Sequence, residues 1–529
     1  MKKQTFKYIG VLIAGIMLAV SCKKDFIEKP NENGPSLDNY YTTADQVNGA
    51  TGYLYNQVWA NYMDKAFHCI GEILAGNMLS SAGDPNYGNN TYVNYTIQST
   101  DGQLLNAWQS FYKVAGNATV LMNTFQQKKS SVSNSAYLDR GIAEAQFIRG
   151  VAYFFIARVF GDAPIVTDPV VLAGSGNYNI PRYYQKDILR FALNDMKAAA
   201  DVLPDDPYQP GRATKYTAIG MMSKVYLYMQ NYDSAAIMAN TVIQSNKYSL
   251  FPDYQGMFTS SKNNNNQESL FALQWIASGG YSYANAIQAY EAPSTLLKPD
   301  FGTGYSSVIP SIDLIKSYEF GDKRKGWSIM QQGYTNAKWT NINFPNGFVY
   351  DTTWNSSNDD ATKIKTGTRS NPLKYVVGPL SSGEDLNTQG GNSMCTYLLR
   401  YADILLIYAE AKIGANSSTT DASALLAFNL VHQRAGLTAV TSLTKDELFH
   451  ERRVEFAFEG DYFFDIQRQG FTKAKQVLES QERGTYTADG GSIAHLGITV
   501  ASASQLFLPI PSDEVVADPE LGKPAVAYY

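Results

Sequence analysis

The chain has little of what most enzyme sites are built from. Its 529 residues include only three cysteines and four histidines. No CxxC pair occurs, which excludes a cysteine-based zinc site. His450-Glu451-Arg452-Arg453-Val454 starts like the HExxH zinc motif, but Val454 stands where the second histidine must come round one helical turn later. GxSxG elbows, Walker loops and dinucleotide glycine patterns are all missing. Asp84-Pro85-Asn86 opens like a calcium loop, without its turn glycine or its closing glutamate. No catalytic residue, metal or cofactor is therefore expected. Basic runs are lacking too: 43 Lys+Arg stand against 48 Asp+Glu, net −5, which argues against nucleic acid as a partner.

Long apolar runs are equally scarce, with one at the start. Lys2, Lys3 and Lys7 accompany the apolar stretch Tyr8 to Val20, and small Ser21 precedes Cys22, the layout of an export signal over residues 1–21. About a dozen apolar residues are too few for a membrane span, which needs about 20. Ala19-Val20-Ser21-Cys22 is similar to a bacterial lipoprotein processing site, although Leu18 lies four places before the cysteine and the commonest form has Leu three before. Cys22 is expected to carry a lipid; the plainer alternative is a secretory signal with an incidental cysteine. Loss of residues 1–21 removes three lysines and no acid, leaving 40 against 48 and a net charge of −8. Residues 22–42, with Pro30, Asn31, Asn33, Gly34 and Pro35, read as a flexible tether with a reach of roughly 25 Å. Cys69 and Cys395 have no small-domain framework around them and are expected to be unpaired and buried.

What is abundant is helical periodicity and tyrosine, 37 of them. Leu104, Trp108, Phe111, Tyr112, Ala115 and Ala118 follow the i, i+3/i+4 spacing of one buried face. Met222, Ser223 and Tyr226, a break at Gln230-Asn231, then Tyr232, Ala235, Ala239 and Val242 predict a helical hairpin of tetratricopeptide type. A second pair is expected at 398–413 and 421–434. One hairpin cannot bury its own face, so several must stack. The expected class is mostly α: helical repeats over 43–248, a loop-rich insertion over 249–395, and C-terminal helices with a tail over 396–529.

The densest charge cluster, HERRVEFAFEGDYFFDIQR at 450–468, interleaves carboxylates with arginines. Such acids are held ionised, which is wrong for a general acid that must keep its proton. It reads as a structural ion-pair network.

Three blocks, IAEAQFIRGVAYFFIARVFGDAPIV (142–166), LLRYADILLIYAEAK (398–412) and ELFHERRVEFAFEGDYFFDIQR (447–468), are similar to recurrent blocks of the SusD/RagB family, as is the closing LPIPSDEVVADPEL. The resemblance implies a tetratricopeptide-like scaffold and a surface-exposed outer-membrane lipoprotein of Bacteroidetes-type bacteria. It further implies docking on a SusC-like TonB-dependent outer-membrane transporter and non-catalytic capture of nutrients, chiefly oligosaccharides. Arg149, Arg400, Asp403, Arg453 and Glu455 within these blocks read as fold-holding residues.

Sugars offer flat C–H faces for aromatic rings and hydroxyl rims for amides and carboxylates. Polar surroundings single out Tyr87, Tyr281, Tyr283, Trp339 and Trp354 as the stacking residues, with Asn77 and Asp84 as polar partners. Trp275 follows the apolar run 270–273 and reads as core. The alternatives are a peptide or other nutrient as cargo, and a loop-built glycoside hydrolase.

Overall fold

The computed structural model describes residues 40–81, 90–353, 362–487 and 491–529. Helices form where apolar stripes and caps coincide. In α1 (Ala44–Gly52) the Thr43 hydroxyl accepts from the Gln46 N–H and the Gln46 side chain returns to the Thr43 N–H, satisfying two end donors. At the start of α2 (Gly102–Lys128) the Asp101 carboxylate accepts from the Gln103 and Leu104 amides. This helix buries the predicted stripe, with Tyr112 only half-buried. Helix α3 (Ala136–Phe160) is buried over most of its length, Glu144 and Arg158 included, and runs through the core. α4 (Gln185–Ala200) follows, then α5 (Lys215–Tyr228) and α6 (Tyr232–Gln244) form the expected hairpin. The break between them falls at Gln230, with φ +55°, and at Asn231, whose side chain accepts from the Ser234 N–H.

From α2 onward each helix packs against the next, through α7 (Tyr401–Ile413) and α8 (Ala422–Arg434). α6 therefore meets α7 directly although residues 245–400 intervene. The protein is mostly helical, a stacked array of tetratricopeptide type with an excursion inserted between two of its helices. Helix α9 (Lys445–Glu455) closes the array against α7.

Every sheet among the described residues is two-stranded and antiparallel. β1 (Met78–Ser80) pairs with β3 (Val308–Pro310), Met78 opposite Pro310. β2 (Ser269–Leu273) pairs with β4 (Thr396–Arg400), Ser269 opposite Arg400, and closes the base of the excursion. That pairing holds residues 398–400 extended, so the helix expected from residue 398 begins at Tyr401. The excursion carries a core of its own, with Leu296, Met330, Trp339, Phe344, Phe348 and Tyr350 packed together.

The interleaved charges form a buried network. Arg400 donates to Glu268 (2.7 Å), Glu455 (2.6 Å) and Glu459 (2.8 Å). Glu455 also receives Arg434 (2.5 Å) and Arg324 (3.0 Å). Asp403 takes Lys224 (2.8 Å) and Arg452 (2.7 Å). Arg149 grips Asp195 with two 2.7 Å bonds, tying α3 to α4. These contacts give the family-block residues their role in holding the fold. Cys69 and Cys395 are buried and not disulfide-bonded.

Candidate functional site

Three stretches converge on one exposed ledge. The first is the irregular run after α1, where two 3₁₀ turns lead into π-helical turns at Tyr62–Ala66 and His68–Ile73. π-turns widen the helix and re-aim side chains, and they recur at functional sites. Here Tyr62, Met63 and Ala66 face inward while Asp64 and Lys65 stay partly exposed. The second stretch is 274–291, a 3₁₀ turn at Tyr281–Tyr283 followed by the short helix Ile287–Glu291. Asn285 anchors it by exchanging backbone bonds with Asn392 and by donating from its side chain to the Met394 carbonyl (2.9 Å). The third is the segment leading into β3: Tyr305 N–H donates to Ala289 O and Ser307 N–H to Tyr290 O, both at 2.8 Å.

These bonds bring the Tyr290 and Tyr305 rings into a stack, centroids 6.0 Å apart and planes 29° from parallel. Tyr290 is buried and its hydroxyl donates to Asp64 Oδ1 (2.7 Å). The Lys65 ammonium lies 5.5 Å from the Tyr290 ring centre and 3.6 Å from Asp64 Oδ2. Tyr305 presents its ring to solvent at 54% exposure, and Tyr283 does so at 42%. Between the first two stretches lies a cavity of about 140 Å³ lined by Asn61, Asp64, Asn106, Trp275, Ser282 and Ile287, among others.

Beneath the ledge sits a group of buried acids. His68 Nε2 lies 3.0 Å from Glu291 Oε1, with both side chains fully buried. Burial pushes the Glu291 carboxyl well above its usual range and the His68 imidazole down to about 3. The contact is therefore a hydrogen bond between neutral groups, even though its distance would suit an ion pair. Glu72 is pushed up to about 7 by burial, against the hydrogen bonds it accepts from the Gly460 N–H (2.6 Å) and from Asn77 (3.1 Å). Glycine is required at Gly71, where a Cβ would lie 2.5 Å from the Gly460 Cα, so the two backbones touch.

The structure places the expected site residues unevenly. Tyr283 is on the ledge, and Tyr281 begins the same turn. Asn77 is corrected to a structural residue: it is fully buried, its amide donating to Glu72 and its oxygen accepting from Arg453 Nε (2.9 Å). Trp339 is also corrected, because at 4% exposure its ring is enclosed by Tyr334, Phe348 and the Gly378 backbone and offers no free face. Trp275 is core, as expected, with Nε1 donating to Thr396 Oγ1 (2.9 Å). Cys22, Asp84, Tyr87 and Trp354 lie outside the described residues. Sequence reasoning does not reach Asp64, Asn61 or Tyr305. Tyr305 carries a usable signal, since Gly302-Thr303-Gly304-Tyr305-Ser306-Ser307 is as polar as the setting of Tyr283.

The family model described as "SusD family" matches residues 236–528, more than half of the chain. A second, "Starch-binding associating with outer membrane", matches residues 36–227. A SusD-like protein of Bacteroides ovatus is 29% identical, over 98% of this chain and 97% of its own length. A crystal structure with xylogluco-oligosaccharide has a TM-score of 0.79 and 27% identity, covering 91% of this chain and 99% of that one. A SusD-like carbohydrate binding protein of Bacteroides fragilis shares the fold, with a TM-score of 0.74 and 22% identity over 91% of this chain and 99% of its own. Among the described residues no helix is long and apolar enough to cross a membrane.

Proposed function

The chain belongs to the SusD family, and on that premise we propose that it is a non-catalytic surface lipoprotein that captures oligosaccharides. It hands them to a SusC-like TonB-dependent outer-membrane transporter, and the lipid on Cys22 holds it to the membrane. The observation that carries the capture reading is the ledge itself: exposed Tyr305 and Tyr283 beside a small polar cavity. Tyrosine rings present rigid apolar faces at low entropic cost, and the amides and carboxylate around them answer hydroxyls. The oligosaccharide bound by a relative of 27% identity supports the same reading.

Hydrolysis of a glycosidic bond needs two carboxyl groups across the scissile bond. Asp64 is the one acid lining the cavity among the described residues, and this favours capture over cleavage. Tyr281, Tyr87, Asp84 and Trp354 remain proposed contacts.

Affinity electrophoresis in gels containing soluble polysaccharides tests the proposal. Retardation by at least one glycan without release of reducing ends is expected, and the Tyr283→Ala/Tyr305→Ala double variant should lose most of it. Migration unchanged by every glycan, or accumulating reducing ends, overturns the reading.

A further inference from the structure

Helix α4 turns one face to solvent, and the charges on that face are all positive. Its inner side buries Ile188, Ala192, Met196 and Ala199. Its two acids are buried as well: Asp187 accepts from the Tyr528 N–H (2.9 Å) and Asp195 is held by Arg149. Lys186, Arg190, Asn194 and Lys197 recur at i+3/i+4 spacing on the outside, and all four are exposed. The exposed acid Asp201 comes only after the last turn. Among the described residues Lys186, Arg190 and Lys197 make no ion pair, in a chain whose net charge is −5.

Two aromatic rings lie along the same face. The Lys186 ammonium is 5.5 Å from the Tyr184 ring centre. The Arg190 guanidinium is 4.3 Å from the Tyr529 ring centre, and the Asn194 amide donates to the Tyr529 hydroxyl (3.1 Å). Tyr529 therefore lies across the middle of the helix. The chain before it holds it there: Val526 N–H donates to Arg182 O (2.9 Å), and Tyr184 N–H donates to Val526 O (3.2 Å). Tyr184 stays 41% exposed and Tyr529 49%. Rings and cations thus form a platform that is already in place before a ligand arrives, which lowers the ordering cost of binding.

The spacing of the charges selects the ligand. At 1.5 Å per residue, Lys186 and Arg190 are about 6 Å apart along the axis and Arg190 and Lys197 about 10 Å. A small single anion meets one of them, and one exposed ion pair contributes little. A chain with a charge on each repeat meets all three, and linked contacts reinforce one another. The exposed tyrosine rings add a preference for the C–H faces of sugars. We propose that the outer face of α4, with Tyr184 and Tyr529, is a second glycan-binding surface whose ligand is an acidic oligosaccharide with a carboxylate on successive sugars. This rests on the capture reading given above, to which it adds charged glycans beside those held on the tyrosine ledge.

Isothermal titration of the full mature chain at low salt tests this with oligogalacturonates and oligoalginates. Methyl-esterified oligogalacturonates, which keep the rings and lose the charge, are the matched control. At least one of the two acids should bind, oligogalacturonates about tenfold or more tighter than their esters if they are the ones bound, and about 0.5 M salt should remove most of the binding. The variant Lys186→Ser/Arg190→Ser/Lys197→Ser should lose acid binding while melting normally and keeping its retardation by neutral glycans in the gels. Lys262→Ser/Lys316→Ser/Lys338→Ser, which changes net charge equally, should keep acid binding. Equal affinity for acid and ester overturns the proposal, as does acid binding that survives the folded α4 variant. Equal binding of a single-stranded oligonucleotide of the same charge also overturns it, because the face would then be a general polyanion surface. Binding of anionic phospholipid vesicles without any acidic glycan assigns the face to a membrane and overturns it too. Failure of both acids overturns this second surface, whereas the ledge is judged separately by neutral glycans in the gels.

Discussion

Two buried acid clusters in this molecule are built in opposite ways. Around α7 and α9, Glu455 faces Arg324, Arg400 and Arg434, and those guanidiniums hold its carboxyl well below the usual range against the cost of burial. Under the ledge, Glu72 and Glu291 face His68, Asn77 and each other, and burial drives both upward. Lys374 acts on both regions, its ammonium bonded to Glu459 (2.7 Å) and pulled down to about 8 by burial. The scaffold thus consumes its charges in fixed pairs, whereas under the ledge burial works against ionisation of both acids. Breaking a buried pair strands a charge, but replacing a neutral acid by an amide of the same shape strands none.

The largest expected effect breaks that comparison at its scaffold end. Glu455→Gln should lower unfolding stability by about 3–5 kcal/mol, because three arginines lose their shared anion. Glu291→Gln, on the ledge side, should cost less than about 1 kcal/mol. Urea unfolding of the two variants gives the contrast directly, and equal losses would mean that Glu291 is ionised in the folded protein.

A smaller effect sharpens the comparison through pH. Glu72 titrates near 7 when folded and near 4.5 when unfolded, so the folded chain binds more protons between those values. Its contribution is fully present below about pH 4.5 and is lost as pH rises through 7, a change on the order of 3 kcal/mol. Glu291 acts in the same direction. Glu455 has the reverse sign: its contribution is present above about 4.5 and lost as pH falls toward its depressed folded value. His68, neutral when folded, also costs stability as pH drops below 6.5. Urea midpoints should therefore decline from about pH 6 to pH 8, and Glu291→Gln should flatten that decline. A rise over the same range contradicts the assignment.

The same division explains what could be read from the sequence. The stripe of α2 and the hairpin of α5 and α6 are legible because period, cap and break are all local. Residues 398–400 look helical because they continue an apolar run, and only pairing with β2, some 130 residues away in sequence, makes them a strand. The ion network is legible as a network, since its carboxylates and arginines are adjacent in one block. The site is legible only in part. Tyr283 is marked by its polar neighbours, but Trp339 has similar neighbours and is enclosed by Tyr334 and Phe348 folding over it. Asn77 is spent on Arg453, 376 positions later, which no local pattern reveals. Asp64 lies in a stretch that reads as ordinary helix, and its outward turn depends on the π-helical geometry at Tyr62–Ala66.

The central claim, that oligosaccharide is captured on the tyrosine ledge, is tested most directly by a crystal structure of the mature chain with a glycan retained in the affinity gels. The account predicts a sugar ring stacked on Tyr305, its neighbour against Tyr283, and a polar contact to Asp64. A glycan seated elsewhere, for instance in the groove beside Tyr232 and Lys445 at the end of the helical array, with Tyr305 bare, would contradict it.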